Sequence, residues 1–331
     1  MLRIVAWLIT AGAAMFATAL PAADMHMSSP LELVQTIPLP DVRGRIDHLA
    51  IDADEGRLFV AALGNDSVEV LDLRAGRRVA RITGLHEPQG IGYVRSANRL
   101  FVANGGGSVD LFEASSLRRV SRIVGLDDAD NVRLDPAGGK IYVGYGHALA
   151  AMHAESGKLL ESIRLPGHPE SFQLESAGMR IFVNVPSAAQ ITVVDRSKKV
   201  ATAAWNLGGK AANFPMALDE VRHRLFVATR KPAALLAFDT GSGARKADLS
   251  IAGDADDLFY DVKRKRLYVI CGEGVVDVFD QKDADHYERA AEVRTVRGAR
   301  TGLFVPSRDA LFVAVPAHAG GPAEIRTFSA R

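Results

Sequence analysis

The sequence predicts an all-β fold, a seven-bladed β-propeller of four-stranded antiparallel blades closed by an N-terminal strand that completes the last blade. Three observations carry this. First, a strand-like hexamer recurs as RLFVAA at Arg57, RLFVAN at Arg99, KIYVGY at Lys140, RIFVNV at Arg180, RLFVAT at Arg224 and RLYVIC at Arg266. A seventh copy, ALFVAV, begins at Ala310, and the steps are 42, 41, 40, 44, 42 and 44 residues. A fixed period of 40–45 residues is the mark of propeller blades. Second, each period holds four short strand candidates separated by Gly, Asn and Asp turns, the pattern of an antiparallel meander. Third, the seventh period stops one strand short, and Leu33–Leu39 (LVQTIPL) resembles the missing one. A strand donated from the N-terminus closes the ring and removes its sheet edges.

Taken in chain order, residues 1–23 carry Arg3, an apolar run from Ile4 to Leu20 and the small-residue exit Pro21-Ala22-Ala23. This is the layout of a secretory signal peptide, with cleavage expected after Ala22 or Ala23. No cysteine follows the run, so a lipid anchor is not expected. Residues 24–30 read as a flexible mature N-terminus and 31–331 as the propeller. In the first period His48–Asp52 leads through Ala53-Asp54-Glu55-Gly56 to Arg57–Leu63. Gly64-Asn65-Asp66 then turns into Ser67–Asp72, and Arg74-Ala75-Gly76 into Arg77–Thr83. The seventh period offers Thr301–Pro306, Ala310–Val315 and Glu324–Ser329. No stretch has the period of a long amphipathic helix.

The balance of 40 Lys plus Arg against 39 Asp plus Glu gives a net charge of +1, and loss of Arg3 with the signal brings it to zero. With no basic excess to displace counterions, nucleic acid is disfavoured as a partner. A single cysteine excludes an internal disulfide, a zinc cluster and a CxxC pair. Such scarcity suits an oxidising compartment, so a periplasmic or secreted monomer is expected, with no membrane span after cleavage.

The RLFVAN and KIYVGY strands, the turns that follow them and third strands such as Val68–Asp72 and Thr192–Asp195 resemble the YncE-like, YVTN-type seven-bladed propellers of bacteria. The resemblance runs from about Leu31 to Arg331. It implies an exported propeller that binds a ligand or partner, and it transfers no catalytic residue. WD repeats fit less well, because Trp205 is followed by Asn206. Quinone-dependent propellers are rich in tryptophan, and this chain has 2.

Aligning the repeats on their basic residue isolates the mouth of the central channel. Nine positions before it stand His48, Gly90, Asn131, Ser171, Pro215, Asp257 and Thr301. Ten before it stand Asp47, Gln89, Asp130, Glu170, Phe214, Asp256 and Arg300, with Asn213 one residue earlier in the fifth blade. Packing alone does not ask for this polarity. Five carboxylates facing across a narrow mouth repel one another and raise each other's pKa unless a cation intervenes. That cation is Arg300, a Ca²⁺ on oxygen ligands, or an amine-bearing ligand. The competing reading is local, in which Asp, Asn and Ser before a strand cap their own turns.

Two function classes follow. The first, favoured, is a binding or scaffold protein whose mouth takes a small cationic or metal-bound ligand, or whose rim takes a periplasmic protein. The second is a divalent-metal-assisted enzyme of the lactonase or lyase kind, with Glu170, Asn131, Asn213 and Asp257 on the metal and His48 as base. Elsewhere, Cys271 reads as a buried inert thiol, Gly105-Gly106-Gly107 as a turn, and Arg230-Lys231-Pro232 as a solvated basic loop. His168 and His86 lie in loops that can add to the mouth. Finally, cleavage after Ala23 sets His26 third in the chain Asp24-Met25-His26-Met27. The free amine, two backbone amides and its imidazole can then bind Cu²⁺ or Ni²⁺ in a square plane; the competing reading is a short disordered tail in which Met-His-Met is accidental.

Overall fold

The computed structural model describes residue 2 and residues 29–331. Seven antiparallel four-stranded sheets account for all the strands among them. Blades one to six each take four consecutive strands; blade one, for example, comprises Leu49–Asp52, Arg57–Ala62, Ser67–Asp72 and Arg77–Ile82. Blade seven takes Thr301–Val305, Ala310–Val315 and Ala323–Ala330, and its fourth strand is Leu31–Leu39. The signal segment, its cleavage position and His26 lie outside the described residues. Of the 24–30 tail Ser29 and Pro30 are described, and the Arg331 backbone N–H donates to the Pro30 oxygen at 3.0 Å. Among the described residues no helix is long and apolar enough to cross a membrane.

The repeat hexamers are continuous apolar runs because blades cover both faces of the second strand. Leu58, Phe59, Val60, Ala61 and Ala62 are wholly buried. The core therefore lies between blades rather than within one, with Phe59, Val68 and Val70 of blade one meeting Leu100, Val102 and Phe112 of blade two. Outer strands carry charge, as in Arg77–Ile82, and Arg118–Val124 is largely exposed as well, which discourages edge pairing with other chains.

The closing strand joins two interfaces at once. Leu31 packs with Tyr268 and Ile270 of blade six, whereas Ile37 and Leu39 pack with Leu58 and Val60 of blade one. All three have odd numbers, and in a regular strand they would share a face. A bulge between Leu33 and Gln35 switches the parity between them.

In five of the seven blades the basic residue that heads the hexamer ties its blade to the next. Arg57 Nη1 donates to the Ala114 oxygen at 2.9 Å, Arg99 Nε to Glu155 at 3.0 Å, and Arg180 Nη1 to Thr240 at 2.5 Å. Arg224 Nε reaches the Ala284 oxygen at 3.2 Å and Arg266 Nη1 that of Arg331 at 2.7 Å. Lys140 pairs within its own blade with Glu161 at 3.2 Å. At the seventh blade, where Ala310 has no such reach, Arg308 donates to the Ala53 oxygen of blade one at 2.9 Å.

Candidate functional site

The residues just before each first strand continue the ladder to the second strand, so their side chains are held over the channel. Asp47 N–H donates to the Ala61 oxygen at 2.7 Å, Asp130 N–H to Gly144 at 2.9 Å, and Glu170 N–H to Asn184 at 3.0 Å. Neighbouring blades lock laterally as well, through His48 N–H to the Gln89 oxygen and Ser171 N–H to the Phe214 oxygen, both 3.2 Å. A cavity of about 250 Å³ opens here. Asp47, His48, Asp130, Asn131, Glu170, Asp256 and Arg300 all line it, as the repeat alignment expects, and His168 does too.

Three expectations need correction. Asn213 is fully buried beside the mouth, where its Nδ2 donates to Asn184 Oδ1 at 2.9 Å and the Gln190 oxygen at 3.0 Å. Phe214 faces the cavity in its place. Arg230 is no solvated loop residue: it lies over the Phe214 ring at 3.9 Å and pairs with Asp256 Oδ1 at 2.5 Å. Asp257 lines the cavity behind the mouth rather than the mouth itself, and His86 is exposed, as isolated loop histidines commonly are. Cys271 is fully buried, and burial pushes its thiol far up, as expected of an inert core cysteine. The glycine run is a turn.

His48 stands on the axis. Its Nε2 lies 3.7 Å from Asp47 Oδ1 and 3.7 Å from Asp130 Oδ1, and its Nδ1 lies 3.6 Å from Asp257 Oδ2. Burial works against its charge, but the Asp257, Asp47 and Asp130 carboxylates overcome this and push the imidazole up to about 10. An imidazolium donates from both nitrogens. Asn131 Nδ2 lies 3.2 Å from His48 Nε2, and Asn131 Oδ1 is buried without a hydrogen-bond partner.

The carboxylates fall into two sets. Asp47 Oδ2 is held by Arg45 at 2.9 Å, and Asp256 by Arg230 and by Arg300 Nε at 3.1 Å. Asp257 Oδ2 accepts the Gly302 N–H at 2.8 Å. Asp130 and Glu170 are held by no arginine or lysine. Asp130 Oδ1 is buried without a hydrogen-bond partner, and the Glu170 carboxyl makes no ion pair among the described residues. Burial, together with the Asp47 and Asp256 charges and against that of His48, pushes Asp130 up to about 7. Burial and the Asp130 and Asp256 charges push Glu170 up to about 8. Burial also raises Asp256, to about 6, with Arg230 and Arg300 pulling the other way. Asp47, Asp130, Asp256 and Glu170 do not cap turns, whereas Asp72, Asp195 and Asp239 elsewhere do.

Comparison with solved structures places this architecture among known propellers. A chain of the mitotic checkpoint complex superposes with TM-score 0.76 at 11% identity, covering 99% of this chain and 98% of that one. The WD40 repeats of RRP9 give 0.77 at 10% identity, covering 91% and 100%, and U3-55K gives 0.76 at 11%, covering 90% and 99%. The fold is shared with WD40 propellers. At such identity the likeness extends to the fold alone. No protein-family model matches the sequence, and no curated protein matches it.

Metal binding fits the mouth poorly. Among the described residues no group of three or more His, Cys, Asp or Glu side chains is arranged to hold a metal ion. Of the four proposed ligands, Asn213 is turned into the blade interface, and Asp257 lines a different cavity from Glu170 and Asn131. Arginines occupy the places where a Ca²⁺ would neutralise Asp47 and Asp256. Arg45 and Arg230 escaped the alignment because it followed only the positions nine and ten before the basic residue; Arg45 stands twelve before it, where Asp128 and His168 also line the mouth, and Arg230 lies at the end of a second strand.

Proposed function

We propose that this chain is an exported, monomeric binding propeller of the YncE-like, YVTN type, whose channel mouth takes a small organic cation bearing a primary amine. One observation carries the ligand class: Asp130 and Glu170 share the mouth cavity and lack the arginine partners that hold their neighbours. An ammonium group donates three hydrogen bonds and would supply the missing countercharge. The exported character rests on the layout of residues 1–23 and the family reading on the repeat hexamers. A periplasmic protein carrying a lysine at its contact tip is an occupant of the same chemistry.

Titration calorimetry of the full chain with 1,4-diaminobutane at pH 8 tests this. Saturable one-to-one binding is expected, weakened at least tenfold, about 1.4 kcal/mol, in Asp130→Asn/Glu170→Gln. Ca²⁺ at equal concentration should not displace the amine. Absence of binding, or undiminished binding by the double variant, would overturn the proposal. Displacement by Ca²⁺ with one-to-one stoichiometry would return the site to the metal-assisted reading.

A further inference from the structure

Beyond His48 the channel continues into a second cavity of about 350 Å³ whose character is the reverse of the mouth. His48 lines both and stands between them. The rear wall is built by the first strands as they run away from the mouth, and Leu49, Ile51, Ile91, Leu258, Leu303 and Phe304 make it largely apolar. Besides His48 at its head, Asp257 and Arg133 interrupt that wall. Arg133, in the first strand Val132–Asp135 of blade three, occupies a position that is Ala50 in blade one, Gly92 in blade two and Leu303 in blade seven. Its Nη1 donates to the Val132 oxygen at 2.9 Å, its Nη2 to Ser171 Oγ at 3.2 Å, and it lies 5.7 Å from the Phe172 ring. It makes no ion pair among the described residues. A guanidinium carries five N–H donors in a planar fork suited to a carboxylate. Most arginines of this molecule, including the three at the mouth, are spent on acidic side chains; this one makes no ion pair, and Asp257, the acid of the same cavity, is taken up by the Gly302 N–H at 2.8 Å and lies 3.6 Å from His48 Nδ1.

We infer that the rear cavity is a second ligand site, for an anionic amphiphile whose carboxylate docks on Arg133 and whose apolar body lies along Leu49, Ile51, Leu258 and Leu303. Such a chamber is of the size of small-molecule pockets, about 300–1,000 Å³, which combine an apolar lining with a few placed polar groups. Charge complementarity selects the head group, and the lining selects the tail. Leu134, 37% exposed on the same wall, marks the side open to solvent. This site shares no ligand-contacting group with the amine at Asp130 and Glu170, and it stands whether or not that amine binds.

The test uses decanoate, titrated calorimetrically into the full chain carrying Asp130→Asn/Glu170→Gln so that the mouth takes no amine, with decylammonium as the control of equal apolar length. Decanoate is expected to bind one-to-one and decylammonium at least tenfold more weakly. Arg133→Gln should weaken decanoate at least tenfold. Should that variant fail to fold, Leu134→Glu sets a carboxylate on the same wall at a position that tolerates charge, and it too should weaken decanoate at least tenfold. Failure of decanoate to bind, equal binding of decylammonium, or undiminished decanoate binding by a folded variant would each overturn the inference.

Discussion

His48 illustrates how a single side chain is fixed by its neighbours rather than by its own preference. Three carboxylates within 3.7 Å keep it protonated up to about pH 10, far above the ordinary 6.5. A raised histidine pKa stabilises the fold fully below about pH 6.5, and the benefit is lost as pH climbs through 10. His48→Gln should therefore lower the melting temperature at pH 6 and make little difference at pH 10.5; an equal loss at both would show that the ring acts by packing alone. For Asp130 and Glu170 the pH dependence has the same sign, although here it is the neutral form that the fold favours. Their folded pKa values of about 7 and 8 lie above the ordinary 3.8 and 4.5. The folded state holds these protons longer, so stability falls as pH rises from about 4 to 8 and levels off beyond. Asp130→Asn/Glu170→Gln should match the wild type at pH 4 and melt higher at pH 8.5. Replacing Asp256 should not help in this way, because it would strip Arg230 and Arg300 of their partner.

Elements explain which part of the site could be read in advance. The mouth ring was legible because one register of the repeat turns polar where packing asks for apolar residues, and the first strand begins at a fixed distance from its hexamer. Asn213 was misplaced for a local reason. The ladder of blade five breaks between Asn213 and Met216, and Phe214 takes the outward place. Arg45, Arg133 and Arg230 were not legible as a group, since they reach the channel from three different repeat positions. Periodicity reports what is shared between blades and is silent about what one blade does alone. The basic heads of the hexamers were visible as a register, but their bonds into the next blade are long-range contacts that a pattern along the chain does not display. Arg99→Met removes such a bond to the Glu155 oxygen while leaving the strand apolar. A loss of about 1 kcal/mol is expected for one half-exposed hydrogen bond, which scanning calorimetry would register as a drop of roughly 2 °C. No change would mean that the recurring basic residue is a surface feature without a role in joining blades.

The whole molecule depends on closure. Leu31–Leu39 completes blade seven and contributes Leu31, Ile37 and Leu39 to two separate interfaces. Burial of three such side chains stabilises by roughly 5 kcal/mol, comparable with the total stability of many domains. Deleting Leu31–Pro40 should abolish cooperative melting, and a truncated chain that melts at the wild-type temperature would contradict closure by this strand. The closed ring is also what brings Asp130 and Glu170 together from successive blades, with His48 from a third, around one channel. Occupation of that mouth by an ammonium group must draw protons from the two raised carboxyls, because the cation favours their ionised forms. Calorimetric titration of 1,4-diaminobutane at pH 7, run in two buffers of different ionisation enthalpy, counts those protons directly. Release of roughly one proton per amine bound is expected at that pH from carboxyls titrating near 7 and 8. Binding with no proton release, or with uptake, would contradict the assignment of Asp130 and Glu170 as the receiving pair.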